Sequence, residues 1–477
     1  MRTAPGYRLL LPVGLLILGT GCPSRPLPPT TGTAQAEARS PTSVAPVAPA
    51  AQAVPPPAAP PPPAAPAALP PHAPMTQREL PTTEGQIALD NLEGSLLSMQ
   101  KFAQVRPTDA VIQNRIVQLL CARAQFRGTL ADYQRAAAQV ENALRVAPKA
   151  AHSFVARARV RAVFHDFAGA EQDLAMAEKL EPELRDSTAA SRLSLSVAQG
   201  RDETALATYR TLRQHSPDIM TTGAEAALLA DRGELAAADE LFIAAQGHFR
   251  DVSPFPVAWL YFQHGLMWER AGRLSRAEEL YAAAVSRLPG YAPATSHWAA
   301  VLAARGEKEQ ARTLLQALTQ SADDPEYQAQ LAALLTDLGQ PAEAKPLLAA
   351  AHRRYTELLA THRPAFRAHA ARFYLGIGGQ PALALKLAEE NLRLNRSLDA
   401  QLLVVEAATA GHAPARACAV ADTVSQRPGL PDPARIVLSR AYSACQKPDR
   451  AAAILGPAAE RAAAPQGSGP SPAPARG

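Results

Sequence analysis

The sequence predicts an all-α chain, an α-solenoid of about ten helical hairpins preceded by a disordered Pro/Ala-rich tether. Three observations predict it. First, two helical patterns meet at a short turn between Val257 and Pro289. The first carries Tyr261, Gly265 and Trp268 on one face, the turn is Ala271-Gly272-Arg273, and the second carries Ala277, Tyr281 and Ala284. Small residues let two antiparallel helices approach, and an aromatic ring fills the space above. Second, the pattern recurs at 34 residues: Gly272 to Gly306, and Ala277 to Ala311 with Leu315 and Leu318 behind it. Third, alternating β-branched runs are nearly absent, so no convincing strand competes.

One hairpin cannot bury its apolar face alone, so recurrence is the test of a solenoid. A third copy has Gly339, Ala344, Leu348 and Ala351. Towards the N-terminus lie Ala136/Val140/Ala143, Ala170/Leu174/Ala177, Ala205/Tyr209/Leu212, and Gly233 with Ala238, Phe242 and Ala245. Weaker copies follow at Gly379/Ala384/Ala388, around 411–424 and around 436–455. This arrangement resembles the tetratricopeptide (TPR) repeat, on the match at Gly265, Trp268, Ala277, Tyr281, Ala284 and Pro289, with Tyr261 where the family usually has Trp. The resemblance implies a right-handed stack of hairpins whose first helices line a concave groove for segments of other proteins.

Taken in order, the chain divides into a signal peptide (1–21), a Pro/Ala-rich linker (22–81), N-terminal repeats with a capping helix (82–256), C-terminal repeats (257–463) and a disordered tail (464–477). Arg2 and Arg8 precede a short apolar run, Leu9 to Leu18, and small residues follow it. That is a secretory signal. Its end, Leu18-Gly19-Thr20-Gly21-Cys22, resembles a bacterial lipoprotein signal, which implies cleavage before Cys22 and a lipid on its thiol. Pro23 after it favours an outer-membrane lipoprotein, facing the periplasm or surface-exposed. An ordinary signal-peptidase site at Gly19 and Gly21 is the alternative. The linker favours extended polyproline II at roughly 3.1 Å per residue, a tether well over about 100 Å long.

Ile87, Leu89, Leu92, Leu96, Leu97 and Phe102 predict an amphipathic helix over 84–105 that caps the repeats. Ser253-Pro254-Phe255-Pro256 predicts an irregular spacer over 247–256 that bends the solenoid or splits it in two. A longer helix is expected over 342–362, and Pro364 starts the next. Cys418 opens a second helix and Cys445 closes the following first helix, ends that share one edge in stacked hairpins. A disulfide and two small buried thiols both remain open.

The candidate groove residues are Arg123, Arg127, Arg159, Trp259, Phe262, Glu269 and Arg270. The arginines read either as solvated cations on helix surfaces or as a basic stripe in the groove. Trp259 and Phe262 read either as core or as an exposed aromatic pair. Formal charge is +5 over 477 residues with both signs mixed, too weak and dispersed to argue nucleic acid. No HExxH, CxxC, GxSxG or GxxxxGK[ST] pattern is present, so no metal ligands, cofactor or catalytic residues are assigned and the chain does not read as an enzyme. The sequence therefore reads as an envelope-anchored TPR scaffold. It binds protein partners through its groove and aids assembly or regulation of an envelope complex, with membrane contact through the N-terminal lipid. The rival is a glycan-binding or enzyme-regulating periplasmic TPR protein, and a periplasmic enzyme with its site in the spacer ranks behind both.

Overall fold

In the computed structural model the described residues are 80–200 and 202–456. The signal peptide, Cys22, nearly all of the tether and the C-terminal tail lie outside them. Among the described residues there are only helices, turns and loops. A lone helix, α1 (Gly85–Val105), comes first. Five hairpins follow: α2 (Ala110–Arg127) with α3 (Leu130–Val146), α4 (Ala151–Val163) with α5 (Phe167–Leu180), α6 (Arg185–Ala198) with α7 (Asp202–His215), α8 (Ile219–Asp231) with α9 (Leu235–Gly247), and α10 (Pro254–Arg270) with α11 (Leu274–Arg287). Five more complete the series: α12 (Ala292–Ala304) with α13 (Lys308–Ser321), α14 (Pro325–Asp337) with α15 (Pro341–Thr361), α16 (Arg363–Leu375) with α17 (Pro381–Leu392), α18 (Leu398–Ala410) with α19 (Pro414–Val424), and α20 (Asp432–Ala444) with α21 (Pro448–Leu455).

Local chemistry sets these boundaries. The Asp109 carboxylate caps α2, accepting from the amides of Val111 and Ile112 at 3.0 and 3.3 Å. Asp166, Asp218, Asp324 and Ser397 cap α5, α8, α14 and α18 in the same way. Proline opens α10, α12, α14, α16 and others, where its missing N–H is no loss. Each of the ten hairpin turns holds one residue in the left-handed region: Gly128, His165, Gly200, Gly233, Gly272, Gly306, Gly339, Gly379, His412 and Gln446. That residue lets the next amide reach back five residues, as in Arg273 N to Trp268 O at 2.8 Å and Lys447 N to Tyr442 O at 2.9 Å.

Within a hairpin, small residues meet large ones as the repeat requires. A Cβ on Gly265 would lie 2.6 Å from the Tyr281 ring. Ala277, Leu280, Tyr281, Ala284 and Trp268 are buried around that contact. The spacer is shorter than expected. Pro254 and Pro256 belong to the first turn of α10, and α10 packs on α8, so the stack continues across it. The boundary drawn at 256/257 falls inside α10, because proline is compatible with the first turn of a helix.

The hairpins wind far enough that later ones meet earlier ones. The Arg127 side chain covers Gly290. The amides of Leu130 and Ala131 donate to the Asp323 carboxylate at 2.5 and 2.9 Å. Phe164 stacks on His362 with ring centroids 4.0 Å apart, and His165 Nδ1 lies 3.1 Å from Pro364 O. Gly200 faces Arg396, Gly233 faces Gly429, and Gly272 faces Pro433. Turns within the first five hairpins thus meet loops that join hairpins from the fifth to the tenth. This seam closes much of the inner face.

Candidate functional site

The seam changes the meaning of the groove residues. Trp259 and Phe262 are 3% and 4% exposed. Phe262 packs on Tyr291, His297 and Tyr281 with centroids 5.5, 5.5 and 6.0 Å away, and Trp259 lies against Gly223. Neither offers a face for a ligand to stack on. Most of α10 is buried, because α8, α11 and residues of later hairpins surround it. A helix that is apolar all round is a buried helix, and that was the available signal.

The arginines separate. Arg123 makes a two-pronged pair with Asp132, both contacts 2.7 Å, and reaches Glu93 of α1 at 2.8 Å. It is a joint between α1, α2 and α3. Arg127 seals the seam over Gly290. Arg157 pairs with Asp173 at 2.7 Å and Arg161 with the same carboxylate at 2.8 Å. Arg159 has no carboxylate partner among the described residues, and burial pushes its pKa down.

Glu269 and Arg270 end α10 and face inward. Glu269 accepts from the Tyr281 hydroxyl at 2.5 Å and sits 2.7 Å from His297 Nδ1. Arg270 pairs with Asp231 of α8 at 2.6 Å and has Asp399 of α18 at 3.3 Å. It therefore touches both sides of the seam. Beside it lies a cavity of about 130 Å³, whose wall includes Arg270, Asp399, Arg372, Arg427, Asn391 and Asn395.

A second buried polar group joins α14 to α16. His369 Nδ1 lies 2.9 Å from Glu326. Burial alone would depress the His369 pKa, but the Glu326 carboxylate outweighs it and the net shift is upward. Asp324, the cap of α14, is pushed up to about 7 by burial and by the Glu326 charge, against the pull of His369. A carboxyl whose pKa is higher folded than unfolded costs stability as pH rises between the two values. Asp324→Asn keeps a capping side chain and removes that charge. Its melting temperature relative to wild type should be unchanged near pH 4 and should rise towards pH 8; a difference independent of pH would contradict the assignment.

Cys418 and Cys445 are joined in a disulfide with Cα atoms 6.5 Å apart. Reducing it should cost roughly 2–4 kcal/mol, confined to the last two hairpins. Hydrogen exchange over 398–456 with and without reductant checks this. Cys121 is buried, and burial raises its thiol to about 12, so it is not a nucleophile at neutral pH. Among the described residues no three His, Cys, Asp or Glu side chains are grouped to hold a metal. No described helix is long and apolar enough to cross a membrane.

Among the described residues α1 carries four of the exposed large apolar side chains, more than any other helix. Leu89 is buried and Leu92 and Leu96 pack on α2, whereas Ile87, Leu97, Phe102 and Val105 point outward with exposures of 49, 54, 54 and 80%. Val111 at the start of α2 is 78% exposed. The sequence pattern had merged two stripes, one for the core and one for solvent. Helix α1 packs on α2 as the second helix of a hairpin packs on the next repeat, but its own first helix is missing among the described residues. The chain ahead of it runs elsewhere: Arg287 of α11 holds Leu80 O and Thr82 Oγ1, each at 2.9 Å.

No curated protein matches the chain. Similar solved structures include yeast Tom70, with 14% identity over 78% of this chain and 92% of that one at a TM-score of 0.32. A tetratricopeptide repeat protein from Parabacteroides merdae aligns at 14% identity over 61% of this chain and 98% of that one, with a TM-score of 0.28. The Cut9–Hcn1 hetero-tetramer aligns at 12% over 78% and 91%, with a TM-score of 0.32. The tetratricopeptide repeat family matches residues 270–334, from the end of α10 through most of α14, and this supports reading the chain as a TPR protein.

Proposed function

We propose that this chain is an envelope-tethered TPR scaffold that recruits a protein partner on the outer face of α1. The observation that carries the reading is that Ile87, Leu97, Phe102 and Val105 are exposed on a helix that packs on α2 as a second helix would, with no first helix before it among the described residues. An amphipathic helix of the partner completes that hairpin, using the same small-to-large packing that repeats along the stack. Burial of three or four such side chains is worth several kcal/mol at about 25 cal/mol per Å². The inner face is a poorer site for a peptide, since Arg127, Trp259, Phe262 and Arg270 are committed to internal contacts. The glycan reading loses the aromatic pair it needed.

The tether and the lipid on Cys22 belong to the same proposal. They hold the scaffold at a membrane while the linker lets it reach its partner, aiding assembly of an envelope complex. The test uses the full chain in its native host, with a photo-crosslinking amino acid at Phe102. A discrete partner band is expected, and Leu97→Asp should abolish it without changing the helical circular dichroism. A band that survives Leu97→Asp rejects α1 as the docking face. Cys22→Ala should move the chain from the membrane to the soluble fraction; retention in the membrane would reject lipid anchoring.

A further inference from the structure

We propose that the cavity between the early and late hairpins is a binding site for a small anion, a dicarboxylate or an oxyanion, and that this anion ties the two sides of the seam together. The cavity is walled from one side by the ends of α8 and α10, with Arg270, and from the other by α16, α18 and the loop before α20, with Arg372, Asp399 and Arg427. Its volume of about 130 Å³ compares with roughly 150 Å³ for an engineered cavity that takes benzene. It therefore admits a ligand of about half a dozen heavy atoms.

The wall carries cationic donors that the chain leaves unused. Buried Arg270 Nε has no hydrogen-bond partner, and Nη2 has Asp399 at 3.3 Å without hydrogen-bond alignment. The Arg372 guanidinium makes no hydrogen bond and no ion pair within 4 Å among the described residues, and only its charge reaches Glu326 and His369. Arg427 donates only to Gln401, at 3.1 Å. Of the acidic groups of the wall, Asp231 is engaged with Arg270 and Glu269 with Tyr281 and His297, which leaves the single Asp399 carboxylate, 3.3 Å from Arg270 Nη2, facing the guanidinium groups of Arg270, Arg372 and Arg427. A buried cationic donor without an acceptor is costly, and a planar guanidinium is matched by a carboxylate or phosphate accepting two parallel hydrogen bonds. Asn391 and Asn395 add amides beside the guanidinium groups. One anion contacting Arg270 and Arg372 would bridge residues from the fifth and eighth hairpins.

The test is thermal melting and hydrogen exchange of the full chain, titrated with succinate or inorganic phosphate against chloride at equal ionic strength. Wild type should show a saturable rise in melting temperature with at least one of the two, and slower exchange over 230–235 and 427–434. Arg372→Gln removes a group that makes no internal hydrogen bond or ion pair and gives up only its longer-range pull on Glu326, so it should fold and melt close to wild type in chloride. Its apparent affinity for the anion should fall by about tenfold or more, and Arg372→Lys should restore part of it. Equal shifts in chloride, or an undiminished shift in Arg372→Gln, would overturn the site. So would an Arg372→Gln chain that misfolds in chloride, because the unpaired arginine is the premise. None of these outcomes depends on what α1 binds.

Discussion

Gly233→Ala should open the seam, and Gly306→Ala should not. Both glycines hold hairpin turns at positive φ, 84° and 93°. A side chain there costs about 1–2 kcal/mol in conformation alone. The surroundings differ. At Gly306 nothing lies within 4 Å of an added Cβ, whereas at Gly233 the Cβ would sit 2.6 Å from the carbonyl oxygen of Gly429. That oxygen is backbone and cannot rotate away. Overpacking of this kind adds about 1–3 kcal/mol. The two substitutions should therefore share the turn penalty and differ by the seam term. Hydrogen exchange should quicken around both 233 and 429 in Gly233→Ala, and only around the substituted turn in Gly306→Ala. Equal behaviour would mean that the contact between the turn of hairpin four and the loop joining hairpins nine and ten contributes nothing.

Trp268→Ala should be the most damaging single truncation in the stack. The indole is 1% exposed, and the Arg276 guanidinium lies over it 4.1 Å from the ring centroid. Its nitrogen lies 3.1 Å from His264 Nε2, which in turn is 2.6 Å from Asp239. Removing the ring leaves a cavity in α10 where it packs on α8 and α11. A buried Trp→Ala change costs about 3–5 kcal/mol. Because a solenoid is stabilised by neighbour interfaces, the loss should spread by hydrogen exchange to the adjoining hairpins and, through the contacts of Arg270 with Asp399 and of Gly272 with Pro433, across the seam to the last two. A loss below about 1 kcal/mol would contradict the burial.

The repeat was legible because its causes are local. Ala277, Tyr281 and Ala284 share a helix face, Gly272 supplies the left-handed turn, and 34 residues later the same needs return. Three turns were harder to place, since His165, His412 and Gln446 take the left-handed conformation without glycine. The seam was not legible at all. Gly233 and Gly429, or Leu130 and Asp323, stand nearly 200 positions apart, and no spacing reports that they meet. This is why Trp259 and Phe262 stood as groove candidates: a first helix in an open solenoid has a free face, and here later hairpins help to cover it. On α1 the opposite happened. Ile87 and Phe102 were assigned with Leu89, Leu92 and Leu96 to one apolar pattern, yet only the latter three find a neighbour to cover them.

The central claim is that early and late hairpins touch and close the interior. It is tested most directly by Arg232→Cys with Pro428→Cys in one chain. These positions flank Gly233 and Gly429, each one Cα step of about 3.8 Å away, and Arg232 gives up only surface pairs with Glu203 and Glu234. A short bismaleimide should join the two cysteines within a single chain, identified by peptide mass spectrometry. If both react with a monofunctional maleimide but no intrachain cross-link forms, the hairpins do not meet, and the closed interior is wrong.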